Sequence, residues 1–461
     1  MKSWIVLIFT MLLLTACATY YKNQQDFMQA IYNDNYALAD KILGEKKVRN
    51  KDELLYFLNR GSLHWMMNDP LVSNQYFQQA DYYVEDYRTN YAAKAASYLY
   101  NPTIIPYGGE SFEQLMIHYY TALNYAYIGD YEKALIETKR MLLKHQKIND
   151  FNKGHNKYNK DAFVNVLLGI VYEATHDYNN AFIAFRNAYS IYEEDYKSMF
   201  KIHTPNQLKQ DMIRTAHLSG FIDEREHYEQ IFNIQFKADK DSTQPIYFFW
   251  NNGLGPVKDE ISINFTVVGG AGGTYYLVNN EYSLRIPYTV NSDDDSKNMN
   301  TLKIVRIAFP KYVSRNTVYK SAQVVLEDST TYQLDLCQPI DAIAYRSLQD
   351  RFLLEITNAV VRMTAKRLAQ LAAASKSEGA GIALEIINAA TEKADTRNWQ
   401  LLPHDIYYTR ILVPDSSNKV YLNLSNQLGI QSKQVFIFDK NKKGIKMMHY
   451  QSPQFLGYNS N

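Results

Sequence analysis

The sequence predicts an α+β protein: a helical-repeat N-terminal part, then a β-rich C-terminal domain containing two helices. Three observations carry this expectation. Small and aromatic residues recur in related patterns up to about residue 236. Short β-prone runs punctuated by Gly, Pro and Asn follow from about residue 245. Between them lies a polar stretch, residues 237–244, that reads as a linker. The expected divisions are 1–16 as a signal peptide, 17–236 as the repeats and 245–461 as a mixed α/β module.

Composition narrows the function classes. A chain of 461 residues with 46% apolar and 21% charged residues has the means to bury a core. Lys and Arg number 49 against 48 Asp and Glu; without Lys2 they balance. Overall charge therefore argues against nucleic-acid binding or adsorption to an acidic membrane surface. Two cysteines, Cys17 and Cys337, exclude a cysteine-rich zinc module and a disulfide framework.

The first element is an export signal. Lys2 supplies a positive charge, and residues 5–14 are an apolar run with one hydroxyl, Thr10. That run is shorter than the roughly 20 residues a bilayer-spanning helix needs. It ends in Leu14-Thr15-Ala16-Cys17, which resembles the bacterial lipobox. The resemblance implies cleavage before Cys17 and acylation of that residue. The expected address is the outer membrane, lipid-anchored and facing the periplasm, with surface exposure left open. Ala18, in place of the aspartate that marks inner-membrane retention, favours the outer membrane.

The helical part follows. Asn35-Tyr36…Ala39 precedes Asp69-Pro70…Ser73 by 34 residues. Clearer copies are Ala122…Tyr125…Gly129-Asp130-Tyr131…Ala134 and Gly169…Tyr172…Asp177-Tyr178…Ala181…Phe185…Ala188. A weaker one runs through Ala216, Gly220, Arg225 and Phe232. These resemble tetratricopeptide repeats, interrupted by inserts around residues 91–110 and 144–160. The resemblance implies a short α-solenoid of four or five helix pairs. Its register puts Leu58, Trp65, Tyr119, Leu123, Tyr127, Phe163, Val166 and Ile170 on one inner face, an apolar and aromatic groove. Two occupants suit such a face: an apolar segment of a partner, or the chain's own inserts, of which the Pro-rich one is nearest.

In the second half, residues 246–250 and 261–268 read as strands joined by a tight loop with Gly253, Gly255 and Pro256. Proline after Gly-x-Gly removes an N–H that a phosphate would need, so no nucleotide site is expected. The Asp259-Glu260 pair beside Lys258 reads as a salt-bridged turn. Further strands are expected at residues 282–287, 302–309, 321–326, 332–336, 406–413, 420–424, 435–438 and 447–450. Asp293-Asp294-Asp295 lacks the glycine and glutamate of an EF-hand and reads as a solvated loop. Residues 341–375 form a long helix by their apolar periodicity, and residues 378–395 a second.

The lipobox, the interrupted repeats, Gly253-Leu254-Gly255-Pro256-x-Lys258-x-Glu260, Ala394-Asp395-Thr396-Arg397-x-Trp399-x-x-Leu402-Pro403 and Arg410 together resemble a family of bacterial lipoproteins with tetratricopeptide-like repeats and no assigned activity. The resemblance spans nearly the whole mature chain and implies a periplasm-facing lipoprotein. Some members are encoded near lipoprotein activators of peptidoglycan synthases, which links the family to cell-wall synthesis. This chain departs from the family in its short Ala/Gly-rich stretch. Gly253, Gly255, Pro256, Lys258, Glu260, Asp395, Arg397, Trp399, Pro403 and Arg410 are the corresponding loop and interface candidates. The Gly loop is expected to be structural, packed beside Trp250 and beside Arg397 or Trp399.

No catalytic residue, cofactor or metal is assigned. Eight of ten histidines precede residue 228, and none sits in a metal-binding spacing. Cys337 reads as a small buried apolar residue. His404-Asp405 is the best acid–base pair, and a solvated loop explains it equally well. The expected function is a non-catalytic interaction scaffold in the envelope. An assembly or pilot factor for a secretion system, or a cell-wall enzyme, are the alternatives.

Overall fold

The computed structural model describes residues 24–91, 103, 105–151, 160–290, 292–374, 393–427, 429, 431–439 and 444–456. Residues 1–23, with Cys17, and 375–392, with most of the expected second long helix, lie outside them.

The helices come in five consecutive pairs among the described residues: α1 (Gln25–Tyr32) with α2 (Tyr36–Glu45), α3 (Glu53–Met66) with α4 (Pro70–Tyr91), α5 (Ser111–Tyr127) with α6 (Tyr131–Phe151), α7 (Ala162–Ala174) with α8 (Tyr178–Ile191), and α9 (Asn206–Leu218) with α10 (Ile222–Phe232). One turn joins every pair. A residue with positive φ (Asp34, Asn68, Gly129, His176, Gly220) closes the first helix. Its N–H bonds three residues back, and the next N–H bonds five residues back, as in Gly129 to Ala126 O and Asp130 to Tyr125 O. This double closure satisfies carbonyls that a helix end leaves open. The following side chain caps the second helix in four of the pairs: Asn35, Asp69, Asp130 and Asp177 accept from Leu38 N, Val72 N, Lys133 N and Asn180 N. Within pairs, glycine permits close crossing. A Cβ on Gly61 would stand 2.7 Å from the Phe77 ring, and one on Gly169 2.6 Å from Phe185.

A π-helical turn, Tyr192–Tyr196, extends α8. It turns both tyrosines into the core, where Tyr192 donates to Cys337 O (2.6 Å) and Tyr196 to Gln338 Oε1 (2.7 Å).

Twelve strands form three four-stranded sheets among the described residues. The central sheet is ordered β12 (Lys446–Ser452), β1 (Thr243–Asn252), β9 (Asp405–Pro414), β8 (Asp335–Gln338); β12 runs parallel to β1 and the other pairs are antiparallel. The second is β11 (Gln431–Ile437), β10 (Lys419–Ser425), β6 (Ser321–Val325), β7 (Thr331–Gln333). The third is β4 (Leu284–Thr289), β3 (Thr274–Asn279), β2 (Val257–Gly269), β5 (Ile304–Val313), with α11 (Asp293–Thr301) and α12 (Ile340–Ala374) beside it.

The apolar run on β1 explains the layering. Alternation sends Tyr247 and Phe249 into the core shared with the helices, and Ile246, Phe248 and Trp250 into the core shared with the second sheet. The helical core is continuous from Phe27 to Phe455. The linker therefore leads straight into a shared body: β1 begins at Thr243 and packs on the helices.

Three expectations are corrected here. The acidic triplet opens α11, because Ser292 accepts from Asp295 N and three carboxylates suit a helix N-terminus. Lys258, Asp259 and Glu260 lie on β2, not in a turn. Residues 394 and 395 are not helical. β3 is an unforeseen strand, its start hidden by the preceding glycines.

Candidate functional site

The predicted groove is covered. Leu58, Trp65, Tyr119, Leu123, Phe163, Val166 and Ile170 are 0–1% exposed. Tyr127, the last residue of α5, stays 42% exposed at the margin. Among the described residues the cover comes mainly from the C-terminal part; residues 92–102 and 104 of the Pro-rich insert lie outside them. His449 of β12 stacks on Trp65 with ring centroids 4.0 Å apart. Asn251 of β1 accepts from Tyr119 (2.9 Å). Trp399 donates through Nε1 to Ser62 Oγ (2.9 Å) and packs on Phe77 and Tyr120. From the insert, Tyr107 donates to Glu113 Oε2 (2.6 Å).

Burial sets the chemistry of this seam. The His449 imidazole, removed from water, is depressed from 6.5 to about 3. The Glu113 carboxyl is pushed up to about 7 by burial and by the neighbouring Glu110 charge. It accepts from Tyr107 OH, Glu110 N and Trp399 N. Burial alone would raise Glu110 too, but Arg351 and Lys258 outweigh it and hold the carboxyl at about 2.

The two seam groups have opposite pH signatures. A depressed His449 contributes stability that is full above its ordinary pKa of 6.5 and is lost as pH falls towards 3. A raised Glu113 contributes stability that is lost as pH rises from 4.5 through 7. His449→Phe keeps a ring on Trp65 and removes the first term. Relative to wild type, it is expected to gain about 2 kcal/mol between pH 7 and pH 5. Urea titrations at the two pH values check this; an identical pH slope for both proteins refutes it.

A second ionic cluster ties helices to sheet. Arg214 of α9 donates through Nε to Glu173 Oε1 (2.9 Å) and through one terminal nitrogen to Glu173 Oε2 (2.7 Å) and Asp211 Oδ1 (2.6 Å). The same nitrogen donates to Tyr247 OH (2.7 Å). Burial alone would raise Glu173, but Arg214 and Arg410 hold it below the carboxylate range. Asp211 is pushed up by burial. Arg410 bonds Asp239, so it stands with this cluster, apart from the other family-loop residues.

The Gly loop packs against the end of the Trp399 segment, nearest Leu402, Pro403 and His404. Gly255 N donates to Leu402 O (2.7 Å), and a Cβ there would stand 3.2 Å from Pro403 O. Gly253 has φ +63, and its Cβ would meet Thr317 at 2.6 Å. Asn398 donates to Pro256 O (2.8 Å), and Glu260 accepts from Ala394 N (2.6 Å). Arg397 points away to Asp395, Lys51 O and Ile105 O. Sequence reading missed Arg315. It is fully buried and donates to Gly255 O (2.6 Å) and to Gln400 O, clamping loop to segment.

His404 lies between Ser314 and two aspartates, Asp405 and Asp341. Its Nδ1 faces Asp405 Oδ2 (2.9 Å) and its Nε2 faces Ser314 Oγ (3.4 Å). The serine proton, however, goes to Asp341 Oδ1 (3.0 Å). Burial would lower the imidazole pKa, but Asp405 and Asp341 raise it. With its hydroxyl proton directed to Asp341, Ser314 makes no donated hydrogen bond to His404, the contact a base needs to activate a nucleophile. The group joins the ends of β5, β9 and α12. Burial likewise pushes the Cys337 thiol well up, against thiolate chemistry.

No family model matches this chain. No curated protein matches it. Several solved structures are similar over part of it. The apo form of RapI matches at 16% identity and TM-score 0.31, covering 46% of this chain and 65% of RapI. MamA matches at 12% identity and TM-score 0.28, covering 46% of this chain and 92% of MamA. A Rap protein complexed with competence and sporulation factor matches at 18% identity and TM-score 0.28, covering 46% of this chain and 49% of that one. This chain thus spans less than two thirds of either Rap structure.

Proposed function

We propose that this protein is a lipid-anchored scaffold of the bacterial envelope, held at the outer membrane by acylated Cys17 and facing the periplasm. In this reading the helix pairs are a tetratricopeptide-like solenoid, and the body is a rigid, non-catalytic platform for an envelope protein, with cell-wall synthesis as the pathway. The observation that carries the platform role is the core that the helices share with the central sheet. Helices and sheets share buried apolar residues from Phe27 to Phe455, and Arg214 to Tyr247 and Lys258 to Glu110 bond across between them. Groups with chemical potential are spent on holding layers together, so partners meet the outer surfaces.

The anchor rests on Leu14-Thr15-Ala16-Cys17 after a short apolar run. Among the described residues no helix is long and apolar enough to cross a membrane. Acyl chains at Cys17 supply more than the two hydrophobic signals that stable anchoring takes. Cys17→Ser is expected to move the protein from the membrane fraction to the soluble periplasmic fraction. Unchanged membrane fractionation of that variant overturns the anchor. Crosslinking in cells followed by mass spectrometry tests the scaffold; absence of any crosslinked envelope protein counts against it.

A further inference from the structure

The helix pairs have two unlike ends. Within a pair the start of the first helix and the finish of the second lie at one end, and the short turn lies at the other. The turns, residues 33–35, 67–69, 128–130, 175–177 and 219–221, hold Asp34, Asp69, Asp130 and Asp177 and neither Lys nor Arg. Lys133, in the helix that follows, pairs with Asp130 at 2.7 Å. At the other end, residues 41–52, which close α2 and lead towards α3, hold five cations against two carboxylates.

The centre of this basic stretch is Lys46-Lys47-Val48-Arg49, and residues 44–50 are all exposed. Its carboxylates are already shared out. Glu45 pairs with Lys41 at 3.8 Å, and Asp52 serves both Arg49 (2.6 Å) and Arg397 (3.5 Å). Asp26 of α1 also acts on Lys46. Lys46 fixes the loop to the place where the chain enters the fold, its Nζ donating to Gln24 Oε1 (3.1 Å). Gln24 is seven residues from Cys17. Seven residues reach at most about 25 Å, so acyl chains on Cys17 keep this end of the helices within that distance of the lipid. The balanced charge of the whole chain leaves adsorption to the anchor. What a local cluster of cations can set is orientation, and cations around a small apolar residue suit the boundary between headgroups and acyl chains.

We propose that residues 46–49 are a membrane-contact loop whose cations meet the phosphates of anionic phospholipids, so that the body stands on its basic end with the aspartate turns held away from the lipid. The placement rests on acylation of Cys17; the affinity of the loop for anionic headgroups does not.

Two readouts test it. In the first, the acylated chain is set in vesicles of phosphatidylethanolamine and phosphatidylglycerol. An environment-sensitive fluorophore is carried on Val48→Cys or, at the opposite end, on Glu132→Cys; both sites are exposed and native Cys337 is fully buried. A lipid-borne quencher is expected to reach the probe at residue 48 and spare the one at residue 132. Equal quenching at the two positions, or none at residue 48, overturns the orientation. Quenching at residue 48 that is undiminished in neutral phosphatidylcholine vesicles shows that the tether alone brings the loop near, and overturns the headgroup contact. In the second, the unacylated Cys17→Ser chain is titrated with the anionic vesicles. Lys47→Gln is expected to weaken binding about fivefold, and Lys46→Gln combined with it about 25-fold. Unchanged affinity of the double variant overturns the proposal. An acylated chain that does not float with the vesicles counts against the anchor alone, since the Cys17→Ser titration judges the loop without it.

Discussion

Replacing Arg214 by methionine is expected to lower the unfolding free energy by about 3–5 kcal/mol, the cost of stranding buried charge. Arg214 is 7% exposed, and its guanidinium serves Glu173, Asp211 and Tyr247 at once. Methionine fills much of the same volume, so packing survives while two buried carboxylates lose their main cation. Arg214→Lys should recover only part of the loss, because an ammonium cannot make the two-nitrogen contact to Glu173. Chemical denaturation of the three proteins reads the difference. A methionine variant within about 1 kcal/mol of wild type, the range of an exposed pair, would falsify a buried clamp at this position.

Tyr119→Ala is expected to cost about 3–5 kcal/mol, as for a core aromatic. The ring is wholly buried, packs on Phe163 with centroids 5.1 Å apart, and donates to Asn251. An open groove would give the opposite result, a stable fold that loses its ligand. Tyr119→Phe separates the two contributions: it keeps the ring and forfeits only the hydrogen bond, about 1 kcal/mol. Thermal melts of both variants check the ordering. Equal stability of wild type and Tyr119→Ala contradicts the covered face.

What could be read from the residues was what is local. The repeat turns were visible because each is closed within six residues, by a left-handed residue and two backbone hydrogen bonds. Their intervals of 34, 61, 47 and 44 residues, from Asp34 through Asn68, Gly129 and His176 to Gly220, match those of the alanine-like positions in the sequence. Most strands were visible for the same reason, since alternation needs only neighbours. The inner-face residues were readable as buried, but not by what. That depends on Trp399 reaching Ser62 and His449 reaching Trp65, contacts between residues hundreds of positions apart. Arg315 gave no signal, because an arginine in a polar stretch looks solvated until Gly255 and Gln400 converge on it. The Asp293 triplet misled because carboxylates suit a solvated loop and a helix start equally; Ser292 in front of them was the usable clue.

The parallel pairing of β1 with β12 sets the order in which the protein can be completed. Ile246 lies beside Lys446, and Asn252 beside Ser452, near the C-terminal end of the described residues. Whether in synthesis or in passage across a membrane, the helices emerge long before β12, which lays His449 over Trp65. Until then their inner face is an uncovered row of aromatic side chains on a growing chain, the kind of surface that chaperones hold. Contacts of such sequence separation also slow the final step, because the loop must close before they reward it. Vulnerability to aggregation is therefore concentrated in the interval before β12 pairs with β1, and it ends when that strand is laid in place.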